Sequence, residues 1–237
     1  MPRIKPEPLA KFYNVEPDVL EIGIDEAGRG PLFGRVYTGA VILPKDVNSS
    51  FDFTLLKDSK KFTSVKKINE VADYIKENAI AWNVSYNDES VVDKINIRQS
   101  VLSSMHTSIK TIMENNKNNN NNNKNNKNNN FEYFLLVDGN DFKPYMKFEN
   151  NMISQVPHKC IEGGDNKYCA IAAASILAKT ERDKYIGELC EEHPELKERY
   201  GIDKNKGYGT KQHLDGIKNY GISKWHRKTY GICKDYC

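Results

Sequence analysis

The sequence predicts an α/β domain with a central mixed sheet and a small helical C-terminal portion, and three observations carry that reading. Leu20, Ile22 and Ile24 alternate as a half-buried strand does, while Phe134, Leu135, Leu136 and Val137 form the unbroken apolar run of a fully buried parallel strand. Helical periodicities at Val65, Ile68, Ala72 and Ile75, and at Val101, Met105, Ile109 and Ile112, stand between those strands. Strands and helices therefore alternate along the chain, the pattern of helices packed on a sheet. With 237 residues at 38% hydrophobic and 28% charged, the chain is long enough for one sizeable domain with its own core.

Taken in order, the first strand runs to Asp25 and meets AGRGPLFG, a segment that must turn. A second strand, Val36 to Leu43, ends at Pro44, so the two make a hairpin opened by glycines. Thr63 or Ser64 caps the next helix, and a short strand is expected at Ile80 to Val84. Residues 115–130 hold 13 Asn and 3 Lys. Such a tract buries too little apolar surface to order itself, so it is expected to be a disordered insertion in a helix-to-strand loop. A helix is expected from Ala170 to Ile186, where AIAAAS offers small side chains for close packing. Pro194 and Gly201 punctuate a charged stretch, and Gln212 to Asn219 is a short helix.

The net charge of +3 is uninformative, because removing the three lysines of the Asn-rich tract balances 32 basic against 32 acidic residues. Local distribution says more: residues 197–237 carry ten Lys/Arg against four Asp/Glu, and residues 57–67 five Lys against one Asp. Five cysteines without a CxxC pair indicate neither a disulfide framework nor a zinc site, and the Cys233 and Cys237 end reads as an inert tail. No apolar run approaches the roughly 18 residues of a membrane span, and the N-terminus lacks the apolar block of a signal peptide. A cytoplasmic protein is expected, with nucleus and organelle left open.

Two expected strands end in carboxylates: LEIGI runs into Asp25 and Glu26, and FLLV runs into Asp138. Ligands in open α/β sheets collect outside the carboxyl ends of strands, so these acids are expected to meet there. Asp165 follows Gly163 and Gly164 just before the AIAAAS helix, whose N-terminal dipole favours its ionised form. Such a cluster repels itself unless cations bind within it, and oxygen-only ligands suit Mg2+ or Mn2+. A pair of such ions about 4 Å apart activates water on one side of a phosphodiester and stabilises the leaving oxygen on the other. Adjacent strand residues face opposite ways, so Asp25 and Glu26 are expected to share a site if the strand ends between them. The glycines at 28, 30 and 34 miss the dinucleotide-binding pattern, because position 33 is Phe. Arg29 between two glycines is either a surface turn residue or a guanidinium set to fork onto an anion.

The segments GIDEAGRGPLFG, LKDSKKFT, LLVDGN, GGDNKYCAIAAASILAKTERD, GYGTKQH and HRKTY resemble, in that order, the motifs of type 2 ribonucleases H of the bacterial sort, ribonuclease HII. The likeness spans about residues 21 to 230 apart from the Asn-rich insertion. It implies a ribonuclease H-like fold, a single catalytic domain over residues 18–237 with a helical cap from about 190. It also implies Mn2+- or Mg2+-dependent cleavage of the RNA strand of RNA–DNA hybrids. Incision 5′ of a ribonucleotide embedded in duplex DNA, leaving 3′-hydroxyl and 5′-phosphate ends, follows from the same resemblance, as do roles in removing misincorporated ribonucleotides and RNA primers. By motif, Asp25, Glu26, Asp138 and Asp165 are the four metal-binding acids. The same resemblance implies that Gly28, Arg29 and Gly30 match the loop that reads the ribose 2′-hydroxyl and its phosphate, and that Tyr208 matches the aromatic partner that stacks on the next deoxyribose. Lys60 and the His226–Arg227 pair match backbone-contacting or structural positions. A monomer is the simpler expectation.

Phe33 and Arg35 stand where the family usually has small residues or proline, Ala170 replaces a serine, and HRKTY ends in Tyr where Phe is common. Arg35 is either an added substrate contact or a surface charge. Two other readings stay open on sequence: a hybrid-binding protein without turnover, and a different two-metal nuclease acting on DNA.

Overall fold

The computed structural model describes residues 8–46, 49–122, 132–149 and 151–237. A five-stranded mixed sheet lies at its centre, in the order β3-β2-β1-β4-β7. The first three strands are β1 (Val19–Ala27), β2 (Val36–Ile42) and β3 (Ala81–Asn87), paired antiparallel as a meander. On the other side of β1, β4 (Glu132–Asp138) and β7 (His158–Ile161) run parallel to it. Between β4 and β7 a separate hairpin is formed by β5 (Met146–Glu149) and β6 (Met152–Gln155). The expected hairpin, the buried β4 run and the mixed sheet are all present.

Alternation in β1 divides the core in two. Leu20, Ile22 and Ile24 face α2 (Glu89–Asn122), packing with Val101, Met105, Ile109 and Ile112. The opposite face takes α1 (Val65–Asn78) and α3 (Cys169–Glu192). Here the small side chains of AIAAAS matter, because a Cβ on Gly23 would stand 2.1 Å from the Ala170 backbone, and one on Gly39 2.3 Å from the Ala174 carbonyl oxygen. Two sheet glycines therefore meet two alanines one helical turn apart, and the backbone of α3 is drawn down onto β1 and β2. Ser64 caps α1 by accepting from Lys67 N–H. Asn96 breaks α2 with a positive φ of 65°, and its side chain caps the continuing turns through Gln99 N–H.

The first part of the Asn-rich tract departs from expectation. α2 continues through it to Asn122, since adding a residue to an existing helix costs far less than nucleating one. Asn116 is buried and donates a 3.0 Å hydrogen bond to the Tyr133 hydroxyl at the foot of β4. Residues 123–130 of the expected insertion lie outside the described residues. Asn116→Ala is expected to remove about 1 kcal/mol of stability and lower Tm by about 2–4 °C. A thermal melt checks this, and an unchanged Tm would show that the turn carrying Asn116 does not support the fold.

Beyond α3, the chain folds back as α4 (Glu195–Tyr200), α5 (Ile202–Asn205) and α6 (Lys211–Tyr220). These enclose a third core of Leu196, Tyr200, Ile202 and Ile217 against Ile186 and Cys190. Phe33 enters it from the loop after β1, fully buried, so this departure from the family pattern is a core residue that fastens the loop to the cap. Cys233 also lies in that core, on a closing 3₁₀ turn (Gly231–Tyr236), which corrects the reading of the C-terminal end as an inert tail. No helix among the described residues is long and apolar enough to cross a membrane.

Candidate active site

The strand does not end between Asp25 and Glu26, as a shared site had required. β1 continues to Ala27, with Asp25 paired to Gly39 and Glu26 to Thr38. The two acids are nonetheless neighbours, because the Asp25 carboxylate folds back along the strand and accepts a 2.6 Å hydrogen bond from Glu26 N–H. Asp138 closes β4, the next strand in the sheet, and its charge acts on both Asp25 and Glu26. Its Oδ1 accepts from Gly164 N–H at 2.6 Å, which ties it to the 3₁₀ turn Gly164–Asn166 bearing Asp165. Asp138 is thus the hub that links all four acids.

Burial and mutual repulsion dominate the electrostatics. Asp25, 5% exposed, is pushed well above the usual carboxylate range by desolvation and then by Asp138 and Glu26. Desolvation likewise raises Glu26, where the Arg29 guanidinium at 3.5 Å opposes it, and raises Asp138, where Asp165 adds to the shift. Lys60 reaches Asp165 at 3.5 Å. Partial desolvation lowers its ammonium, yet Asp165, Asp58 and Asp25 outweigh that and hold it above an ordinary lysine. Among the described residues no three carboxylate, imidazole or thiol groups are placed closely enough to hold a cation together. The four acids make an open, oxygen-only donor set.

Several supports of this cluster carry no sequence signal of their own. The Ser175 hydroxyl on α3 opposes the rise in the Asp25 pKa and meets Ser59 Oγ at 2.9 Å. Asp58 accepts from Lys60 N–H and from the Asn166 amide, which also reaches Asp165, and Lys61 donates to Asn166. The DSKK motif is therefore docked on the turn that carries Asp165. It holds Lys60 over the acids while leaving that side chain exposed.

The loop after β1 is shaped from within by two buried guanidiniums. Arg227, fully buried, donates to the carbonyls of Gly28 (2.6 Å), Arg29 (3.0 Å), Pro31 (2.9 Å) and Gly34 (2.9 Å). Arg182 on α3 donates to the carbonyls of Phe33, Arg35 and Lys206, so it fastens the loop to the segment before Tyr208. Burial lowers both, Arg182 to about 10, which leaves it charged at neutral pH. Gly28 is irreplaceable here: its φ is +88°, and a Cβ would lie 2.1 Å from Arg182 Nε.

With the Gly28 and Arg29 carbonyls held by Arg227, Gly28, Arg29 and Gly30 line a cleft of about 410 Å³ with Glu26, Lys60 and Tyr208. Arg29 is half exposed, and the Tyr208 ring, 52% exposed, lies next to the Gly30 backbone, where a Cβ would touch it at 3.6 Å. Lys179, Lys204 and Lys206 add positive charge to the same walls. Of the nine residues expected at a site, Glu26, Gly28, Arg29, Gly30, Lys60 and Tyr208 line this cleft, and Asp25 and Asp165 adjoin it through Glu26 and Lys60, with Asp138 tied to the turn that bears Asp165. Arg35 is not among them: it is stacked between Tyr86 and Tyr185, at 4.2 and 4.3 Å, and is neither a cleft residue nor a loose surface charge. His226 is buried against His213 and does not line the cleft.

Comparison with known proteins identifies the family. The family model described as Ribonuclease HII matches residues 22–232. Ribonuclease HII of Christiangramia forsetii is 38% identical over 227 residues, covering 96% of this chain and 97% of its own. Among solved structures, ribonuclease H2 from Pyrococcus horikoshii OT3 superposes with a TM-score of 0.67 at 19% identity, covering 91% of this chain and 96% of the other. Bst ribonuclease HIII in complex with Mn2+ superposes at 0.60 and 17% identity, covering 92% and 69%. A family match across nearly the whole fold, together with full-length relatives at this identity, places the chain in the ribonuclease HII family of ribonuclease H hydrolases.

Proposed function

We propose that this protein is a divalent-metal-dependent endonuclease that cuts the RNA strand of RNA–DNA hybrids and nicks duplex DNA 5′ of an embedded ribonucleotide, leaving 3′-hydroxyl and 5′-phosphate ends. The observation that carries this reading is the convergence of Asp25, Glu26 and Asp138 from adjacent strands beside the glycine loop, with Asp165 tied to Asp138. The donor set fits Mg2+ or Mn2+, since it consists of oxygens alone and its buried carboxylates raise one another's pKa, a repulsion that a divalent cation relieves. Asp25, Glu26, Asp138 and Asp165 would hold the ions. Bound there, such ions lower the pKa of a water and stabilise the leaving oxygen of a phosphodiester.

The rest of the work falls to side chains and backbone. Arg29 presents a guanidinium beside Glu26, suited to a non-bridging phosphate oxygen. Lys60, held at Asp165 yet exposed, is placed to neutralise backbone charge near the cut. A 2′-hydroxyl is the local group that separates RNA from DNA, and the bare backbone of Gly28 to Gly30 lets a ribose approach closely. Tyr208, across from Gly30, supplies a flat ring for the following deoxyribose, so Tyr208→Ala should cut turnover at a single embedded ribonucleotide about 10- to 100-fold. The test is cleavage of an RNA–DNA hybrid and of an all-DNA duplex of the same sequence, with Mg2+, Mn2+ or chelator. Metal-dependent cleavage of the hybrid alone is expected; equal cleavage of the all-DNA duplex would overturn the reading.

A further inference from the structure

Tyr208 presents a problem of orientation. Its ring is half in solvent and its neighbour Gly207 adopts a positive φ of 85°, so side-chain packing alone does not fix where the ring points. Its direction depends on its backbone. That backbone is held locally, by Tyr208 N–H donating to the Asn205 carbonyl at 3.0 Å and Thr210 N–H donating to the Tyr208 carbonyl at 2.8 Å, and from the cap by a buried pair of imidazoles: His213 Nδ1 is 3.0 Å from the Tyr208 carbonyl, His213 Nε2 is 3.0 Å from His226 Nε2, and His226 Nδ1 is 2.9 Å from Ser223 N.

The end groups fix every proton in this chain. Ser223 N–H can only donate, so His226 Nδ1 accepts, the Ser223 hydroxyl at 2.8 Å then donates to the same nitrogen or turns away, and the ring's proton sits on Nε2. The Tyr208 carbonyl can only accept, so His213 carries its proton on Nδ1 and accepts at Nε2. The two assignments meet without conflict at the imidazole contact, where His226 Nε2–H donates to His213 Nε2. A proton added to either ring would set one N–H against another. The surroundings favour the neutral forms: both rings are buried, next to Phe33 and Tyr200, and burial lowers His213 and takes His226 down to about 3.

We propose that His213 and His226 are positioning residues for substrate discrimination, two neutral imidazoles in series that pin the Tyr208 backbone to the Ser223 turn of the cap and so aim its ring across the cleft at Gly30. The proposal rests on the reading of Tyr208 given above. It assigns the histidine pair an effect on which substrate is cut rather than on the chemistry of cutting, because neither ring reaches an acid of the cluster.

The experiment compares wild type, His213→Leu, Tyr208→Ala and the double variant on a one-ribonucleotide duplex and on an RNA–DNA hybrid, each protein first shown folded by thermal melt. His213→Leu should lower kcat/KM on the one-ribonucleotide duplex about ten-fold and leave the hybrid nearly unchanged. In the double variant the loss should be no greater than for Tyr208→Ala alone, since both act through one ring. His213→Asn, whose amide donates from the place of Nδ1, should recover most of the loss. An equal drop on both substrates, or multiplying losses in the double variant, would overturn the proposal. If Tyr208→Ala cleaves like wild type, the reading of Tyr208 itself fails and the proposal with it. Should His213→Leu not fold, nitrogen NMR of wild type decides: the Nδ1–H form of His213 with the Nε2–H form of His226 supports the relay, and the reverse tautomers overturn it.

Discussion

Asp25→Asn is expected to abolish cleavage and at the same time to melt higher than the parent protein in chelator. The first effect follows from the place of Asp25 as a buried acid of the cluster, coupled to Asp138. Losing one anionic ligand weakens any divalent ion held there and misplaces the water it activates, a loss of about 10³-fold or more in turnover. The second follows from the sign of the pKa shift. Desolvation, Asp138 and Glu26 raise the folded-state pKa of Asp25 above its unfolded value, so the folded protein binds more protons and stability falls as pH climbs from the ordinary carboxylate range through the raised value. An amide carries no such penalty. In chelator at neutral pH the variant should therefore melt about 2–5 °C above wild type, with the gap closing below the ordinary carboxylate range. Saturating Mg2+ or Mn2+ should raise Tm of wild type more than that of the variant. Near-normal turnover of Asp25→Asn at saturating metal would remove Asp25 from the site.

The second large effect is expected at Arg227→Met. The guanidinium is fully buried and satisfies the carbonyls of Gly28, Arg29, Pro31 and Gly34, and Met fills the space without a single donor. Stranding several buried carbonyls costs about 3–5 kcal/mol, which lowers Tm by about 10 °C. What remains folded should also cleave poorly, because the loop that lines the cleft has lost its internal template. A scanning melt and turnover well below the transition separate the two effects. If Tm stays within about 2 °C of wild type, the loop holds its shape without Arg227.

Much of this architecture is legible in the sequence because it depends on local pattern. β1 and β4 show themselves by alternation and by an unbroken apolar run, and each delivers its acid at the strand's carboxyl end, where Asp25, Glu26 and Asp138 stand. What escapes is set by tertiary contact. β7 is four residues of mixed character, held by parallel pairing to β4. Arg182 reads as one more charge on a helix, and its role exists because Phe33, Arg35 and Lys206 turn carbonyls toward it. Ser59 and Ser175 are far apart in the chain and meet behind Asp25. The Asn-rich composition hides the docking of Asn116 on Tyr133, since composition describes a tract's average and not its first turn.

If the cleft chooses its phosphodiester by the sugar beside it, as proposed, one measurement shows it most directly. A DNA duplex with a single ribonucleotide, labelled at each strand end in turn, is incubated with wild-type protein and Mg2+ or Mn2+, and the products are mapped at nucleotide resolution with their end groups identified. One nick on the 5′ side of the ribonucleotide is expected, bearing a 3′-hydroxyl and a 5′-phosphate, with the all-DNA strand intact. A nick elsewhere, the opposite end chemistry, or cutting of both strands alike would contradict the account.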